Sequence, residues 1–120
     1  MTIGEISKRV GLPESTLRYY EKQELLRVSR DSAGRRNYAG EEVAWIQFLR
    51  RLKETGMPLK DIRRYAKLRY GGDATMPQRL EMLRVHRTYV LEQRRRWDGY
   101  LKNLDEKIGL YEEALSGGPA

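Results

Sequence analysis

Leu17-Arg18-Tyr19-Tyr20-Glu21 is the stretch whose reading decides the fold of this chain. An arginine followed by two tyrosines on an early helix is a poor packing set and a good one for gripping phosphate and sugar. Leu17 and Tyr20, three apart, share the core-facing side of a helix from about Pro13 to Lys22. Ser15, Thr16, Arg18 and Tyr19 then face outward. Tyr20 is read as core through its ring, with the hydroxyl at the edge.

Working outward, Thr2-Ile3-Gly4-Glu5 has the spacing of a capping box, with Thr2 as N-cap. The helix it opens puts Ile3, Ile6 and Val10 on one face, and Gly11 ends it. Two short helices around Gly11-Leu12 make a helix-turn-helix. In such a unit the outer face of the second helix enters the major groove, so Thr16, Arg18 and Tyr19 become candidate DNA contacts. From spacing alone, a helical hairpin with a solvated outer face competes with this reading.

Charge favours the DNA reading. The 120 residues hold 24 Lys and Arg against 17 Asp and Glu, a formal net charge of +7. Residues 1–70 account for all of it, with 16 basic and 9 acidic residues, whereas residues 71–120 carry 8 of each. A basic module followed by a neutral one is the simplest account, with an anionic partner for the first. There is no cysteine and one histidine, His86. That excludes disulfides, thiolate metal sites and thiol redox sensing, and leaves no transition-metal set. No nucleophile–base pair stands out, so no enzyme and no cofactor are expected. No signal peptide and no membrane-length apolar run is visible, and a cytoplasmic protein is the expectation.

Leu25-Leu26-Arg27-Val28 reads as a strand, Ser32-Ala33-Gly34 as a turn and Arg35-Arg36-Asn37-Tyr38 as a second strand. A hairpin after a helix-turn-helix is a wing, and Arg30, Arg35 and Arg36 would ride over the DNA backbone. The alternative is a mobile basic loop. A third helix follows over Glu41–Glu54, and Met57-Pro58-Leu59 starts a fourth, with Ile62 inside and Lys60, Arg63 and Arg64 outside. Arg69 to Asp73 reads as a linker, with the module boundary near residue 72.

Residues 76–115 carry one long helical pattern. With Leu80 as heptad position a, every d position from Leu83 to Tyr111 is apolar or aromatic, and only Arg87 and Arg94 interrupt the a positions. About 40 residues would span about 60 Å, more than the first module can cover. Pairing with a second copy is therefore expected, against the alternative of a helix folded back on its own domain. Residues 116–120 are expected to be a disordered tail.

This order of parts resembles the MerR family of bacterial transcriptional regulators. The resemblance rests on Ile3 to Gly11, Thr16-Leu17-Arg18-Tyr19-Tyr20-Glu21-Lys22, Leu25-Leu26, Gly34-Arg35-Arg36-Asn37-Tyr38 and Gly56 to Ile62. It implies a mainly α fold: a winged helix-turn-helix over residues 1–70, then an antiparallel dimerising coiled coil over 76–115. It further implies a homodimer on double-stranded promoter DNA that bends and untwists an over-long spacer for RNA polymerase. The contacts it implies are Thr16, Arg18 and Tyr19 on the second helix, Arg35, Arg36 and Tyr38 in the wing, and Lys60 on the fourth helix. Tyr38 has packing as its alternative. The chain resembles most the short, aldehyde- and thiol-stress-like branch, but Arg51 stands where that branch has its cysteine. Either a small-molecule effector pocket at the dimer interface remains, with Tyr65, Tyr70, Tyr89 and Trp97 as candidate lining, or there is no effector. An architectural or excisionase-like DNA-bending protein is the competing function.

Overall fold

The computed structural model describes residues 1–117, so Gly118, Pro119 and Ala120 of the expected tail lie outside the described residues. The elements are α1 (Ile3–Val10), α2 (Glu14–Lys22), β1 (Ser29–Arg30), β2 (Arg36–Asn37), α3 (Glu42–Glu54), α4 (Leu59–Tyr70), a short 3-10 turn (Asp73–Thr75) and α5 (Met76–Leu115). By compactness the chain divides into a unit from Met1 to Met82 and a second from Leu83 onward. The first unit thus takes in the first turns of α5, beyond the boundary near residue 72 suggested by charge.

In the first unit helix α1 is closed at both ends. Thr2 Oγ1 accepts the Glu5 N–H at 3.1 Å and caps α1. Gly11 takes a left-handed conformation (φ 69°) that a side chain would resist, and its N–H bonds the Ser7 carbonyl at 2.9 Å. The last carbonyls of a helix lack internal partners. Here arginines from later helices supply them. Arg50 of α3 donates to the Val10 carbonyl at 2.8 Å. Arg63 of α4 donates to the Gln23 carbonyl at 3.0 Å and to the Gln23 side-chain oxygen at 2.8 Å. Cations at helix C-termini also oppose the helix dipole favourably. Arg63 is therefore not on the outer surface as the pattern suggested; it is committed to the helix-turn-helix.

Ile6, Leu17, Leu25, Ile46 and Leu49 form the centre of the core and are fully buried. Full burial of such a side chain stabilises by roughly 1.5–3 kcal/mol. Leu25 and Leu26 do not form the expected strand. Both are buried after α2, in a turn held by the Leu25 N–H on the Tyr20 carbonyl at 2.9 Å. Trp45 Nε1 holds the same turn from α3 through the Leu25 carbonyl at 2.9 Å. The hairpin is two residues deep, with Ser29 opposite Asn37 and Arg30 opposite Arg36. Gly34 (φ 78°) forms its turn.

The expected linker is part of the packed structure. Arg69 and Tyr70 complete α4, and Glu42, the one buried charged residue among the described residues, receives both. The Tyr70 hydroxyl donates to Glu42 at 2.7 Å and Arg69 pairs with it at 3.4 Å. The same hydroxyl accepts the Arg27 N–H at 3.0 Å, tying α3 and α4 to the base of the wing.

The second unit is simpler. Helix α5 runs unbroken to Leu115, with no buried residue among those described. Ser116 and Gly117 continue its last turn, their N–H groups on the Glu112 and Ala114 carbonyls, rather than beginning a disordered tail.

Candidate nucleic-acid interface

Helix α2 presents two faces of different character. Leu17 and Tyr20 are buried, whereas Arg18 and Tyr19 are exposed, Tyr19 by 43%. Thr16 is half-buried at the boundary between them. Arg18 approaches Glu14 at 4.0 Å, both about half exposed. An exposed pair of this kind is worth well under about 1 kcal/mol and releases its arginine readily. Lys53 of α3 lies over the rings of Tyr20 (4.9 Å) and Tyr19 (5.5 Å), adding a cation beside this face. Burial pushes the Tyr20 phenol upward, so it stays a neutral hydroxyl at ordinary pH.

Glu21, which ends the Leu17–Glu21 stretch, fixes the wing. Its carboxylate accepts Arg30 at 3.1 Å and Arg36 at 3.2 Å, one arginine from each strand. The hairpin has too few ladder bonds to be rigid alone, so this clamp sets its position against α2. A carboxylate next to two arginines in a basic module looks counterproductive by charge counting. It was for that reason not singled out in the sequence, although the acid's place at the end of the motif was the available signal. Arg36 is thus half-buried and paired. Arg35 is the freer of the two, with its side chain 79% exposed and a 3.1 Å pair to Asp31. Asp31 also accepts the Ala33 and Arg35 N–H groups at 2.9 Å each, which shapes the tip.

Tyr38 is a correction to the set of direct contacts. It is only 1% exposed, and its hydroxyl is buried without a hydrogen-bond partner among the described residues. Burial raises its phenol pKa, offset in part by the Arg36 guanidinium. Packing, its alternative reading, is what the residue does. The aromatic pocket is corrected likewise at two positions. Tyr65 is buried and stacks on Trp45 at 5.7 Å, and Tyr70 is engaged with Glu42.

Lys60 is exposed on the first turn of α4. It lines an open groove of about 850 Å³ together with Arg27, Arg63, Arg64 and Lys67, against Glu21 and Glu24. Among the described residues no three His, Asp or Glu side chains come together as a metal set. No helix among them is long and apolar enough to cross a membrane.

A helix-turn-helix with a clamped basic wing, followed by one long helix, defines a DNA-binding transcriptional regulator. Comparison with known proteins supports this at two levels. The family description "MerR HTH family regulatory protein" matches residues 1–68, and "MerR, DNA binding" matches residues 43–107. The chain belongs to the MerR family, whose members are regulators rather than enzymes. It is 35% identical over 118 residues to an uncharacterized HTH-type transcriptional regulator of Haemophilus influenzae, covering 98% of this chain and 87% of that one. It is 34% identical over 93 residues to the regulator AdhR of Bacillus subtilis, covering 77% and 66%. Among solved structures it resembles HiNmlR, a MerR family regulator lacking the sensor domain, bound to promoter DNA (TM-score 0.83, 34% identity, 98% and 94% covered). A MerR family regulator from Listeria monocytogenes superposes with TM-score 0.90 at 29% identity, covering 98% and 89%.

Proposed function

We propose that this regulator works as a homodimer, joined through α5, that grips a promoter with two winged units and bends and untwists it. Residues 1–70 would be the DNA-reading part, 76–115 the dimerising part, and the site of action the cytoplasm. The observation that carries the reading is the division of α2: Leu17 and Tyr20 anchor it, and Arg18 and Tyr19 remain exposed beside Lys53. Thr16, Arg18 and Tyr19 contact the groove and its phosphates, Arg35 the backbone beside it, and Lys60 a phosphate further along. Arg36 positions the wing through Glu21 and offers its remaining donors to phosphate. Cations spread over α2, the wing and α4 supply phosphate contacts on both sides of a bend. Bending costs of order 1–6 kcal/mol, which those contacts offset. The distortion brings the two elements of an over-long promoter into register for RNA polymerase.

An effector pocket between the two copies loses Tyr65 and Tyr70 from its lining, which leaves Tyr89 and Trp97 as its aromatic candidates. The test is a mobility shift and run-off transcription on the promoter upstream of the chain's own gene, with the spacer length varied. Arg18→Ala should weaken binding by about 10- to 100-fold, the worth of a good bidentate contact, without changing the sedimentation of the dimer. Lys60→Ala should weaken all DNA sequences alike and flatten the salt dependence by about one counterion. Tight binding with transcript levels indifferent to spacer length would reject promoter remodelling and favour a purely architectural role.

A further inference from the structure

A carboxylate on a DNA-facing surface repels phosphate, so one that stands there weakens binding unless it does something else. Glu21 is such an acid. Its side chain is 23% exposed, and each of its two oxygens is given to one wing arginine. Oε1 accepts Arg30 Nη2 at 3.1 Å, and Oε2 accepts Arg36 Nε at 3.2 Å. Glu21 also lines the groove that holds Lys60, Arg64 and Lys67. The cations of the wing nearest α2 are therefore already engaged before any DNA arrives.

Behind this clamp lies Tyr38. Residues two apart on a strand send their side chains to the same side. Arg36 and Tyr38 fit that alternation, since both are at least half-buried while Asn37 between them is exposed. The Tyr38 hydroxyl is buried with no hydrogen-bond partner among the described residues. Burial acts most strongly on this phenol. After burial come the charges of Arg36, Glu21, Arg30 and Arg18, which are the clamp itself and its neighbour on α2. A buried donor without an acceptor destabilises the fold, and this one stands beside a carboxylate whose two oxygens are taken.

Deepening the promoter-gripping reading above, on which it rests, we propose that Glu21 is a specificity latch on the wing. It keeps Arg30 and Arg36 from full engagement with DNA until the fit of α2 in its operator brings phosphates to them, and the Tyr38 hydroxyl then takes over the freed carboxylate. Both are positioning residues, acting on DNA through the wing arginines. DNA of arbitrary sequence, held by α2 and α4, meets a wing whose guanidiniums are already paired. Only a duplex that closes onto the whole module places phosphates close enough to exchange one charge-assisted bond for another. The exchange leaves Glu21 ionised, short of two donors and near phosphate. Tyr38 supplies one donor from the buried side. Without the latch, arbitrary DNA would gain wing contacts that the operator already has. The acid thus discriminates by a repulsive element rather than by an added attraction.

The test uses the full chain in mobility shifts over a range of salt, on two duplexes of equal length. One is the region upstream of the chain's own gene and the other a scrambled version of it. Glu21→Gln keeps the side chain's shape and removes its charge. It should raise affinity for scrambled DNA by about tenfold and steepen its salt dependence by about two to four phosphate contacts, the arginines of two wings. The upstream duplex should gain less than about threefold. Adding Arg30→Gln should remove about half of the gain on scrambled DNA, and Glu24→Gln, in the same groove but outside the clamp, should not produce it. Tyr38→Phe should leave the denaturant midpoint unchanged or raised, because the hydroxyl it removes has no partner in the free protein. It should nevertheless weaken the upstream duplex by about threefold to tenfold and leave scrambled DNA unaffected. Loss of upstream binding in Glu21→Gln with no gain on scrambled DNA makes Glu21 a brace and overturns the latch. An equal gain from Glu24→Gln reduces the effect to long-range charge and overturns it too. A lowered midpoint, or unchanged upstream binding, in Tyr38→Phe removes the handover. The scrambled duplex needs no promoter, so the two proposals fail separately. A parent chain that binds both duplexes alike rejects promoter gripping and leaves the latch to stand or fall on the Glu21→Gln gain. A parent that prefers the upstream duplex, with no such gain, rejects the latch alone.

Discussion

Leu49 of α3 and Leu104 of α5 both sit at core spacing on amphipathic helices, yet Leu49 is fully buried and Leu104 is 60% exposed. The first unit buries Leu17, Leu25, Leu26, Leu49 and Leu52 in its own core. It also satisfies its helix ends, through Arg50 on Val10 and Arg63 on Gln23. Helix α5 leaves Trp97, Leu101, Leu104, Ile108 and Tyr111 exposed. What the difference teaches is that the same periodic pattern can serve two kinds of stability: one carried within a chain, the other, on the homodimer proposed above, dependent on protein concentration.

The largest expected effect tests that difference directly. Leu49→Ala should lower unfolding free energy by about 3 kcal/mol through lost transfer energy and the cavity left behind, equally at all concentrations. Leu104→Ala should leave the denaturant midpoint of the first unit unchanged and move the dimer dissociation constant instead. Denaturant unfolding at two concentrations, read alongside sedimentation, distinguishes them. A concentration-independent loss for Leu104→Ala would break the comparison.

Next in size is the buried acid. Glu42→Ala removes the acceptor of Tyr70 and Arg69 and should cost about 2 kcal/mol, because two donors lose their partner in a partly dry site. Chemical denaturation measures it. An effect below about 0.5 kcal/mol would mean that water replaces the carboxylate and that the α3–α4 junction is looser than its hydrogen bonds imply.

How these features stood in the sequence depends on their range. The helix-turn-helix, α3, α4 and the long helix were legible because caps and apolar periodicity are local signals: Thr2, Gly11 and the Leu17/Tyr20 pair define their own geometry. The exposure of Arg18 and Tyr19 followed from the same periodicity. The strand expected at Leu25–Val28 failed because two buried leucines in a row look alike in a strand and in a turn pinned by Trp45 from 20 residues away. Arg63, Arg69 and Tyr70 were misplaced for a related reason. Their partners Gln23 and Glu42 are distant in sequence, and an arginine that caps another helix has the same local pattern as one in solvent. Tyr38 was ambiguous because a tyrosine can serve a core by its ring or DNA by its hydroxyl. The chain's tertiary packing, not its period, decided that.

Tyr70 makes a pH prediction that is confined to the first unit. Burial, opposed in part by the Arg27 N–H and reinforced by Glu42, pushes its phenol up to about 12 from the ordinary 10. A folded-state value above the unfolded one means that the neutral form is favoured by folding. The stabilisation is complete below pH 10 and is lost as pH rises toward 12. Tyr20 and Tyr38, also raised by burial, act with the same sign. The denaturant midpoint should therefore fall between pH 10 and 12, and less steeply in Tyr70→Phe than in the parent. Equal slopes would show that the Tyr70–Glu42 bond does not report on folding.

The smallest effects concern backbone, where the two regions carry opposite misfits. Glu24 closes α2 in a left-handed conformation (φ 62°) that glycine would adopt freely. Gly99 lies inside α5, where a Cβ would meet no atom within 4 Å. Glu24→Gly and Gly99→Ala should each stabilise by up to about 1 kcal/mol, the first by removing backbone strain and the second by reducing the freedom of the unfolded chain. The readouts differ in kind. Glu24→Gly should raise the midpoint of the first unit at any concentration. Gly99→Ala should increase helical circular dichroism most in dilute solution, where copies of α5 are apart, and least where dimerisation already holds the helix. If Gly99→Ala instead weakened the dimer, residue 99 would face the partner, and the heptad frame that puts Trp97 in the seam would be wrong.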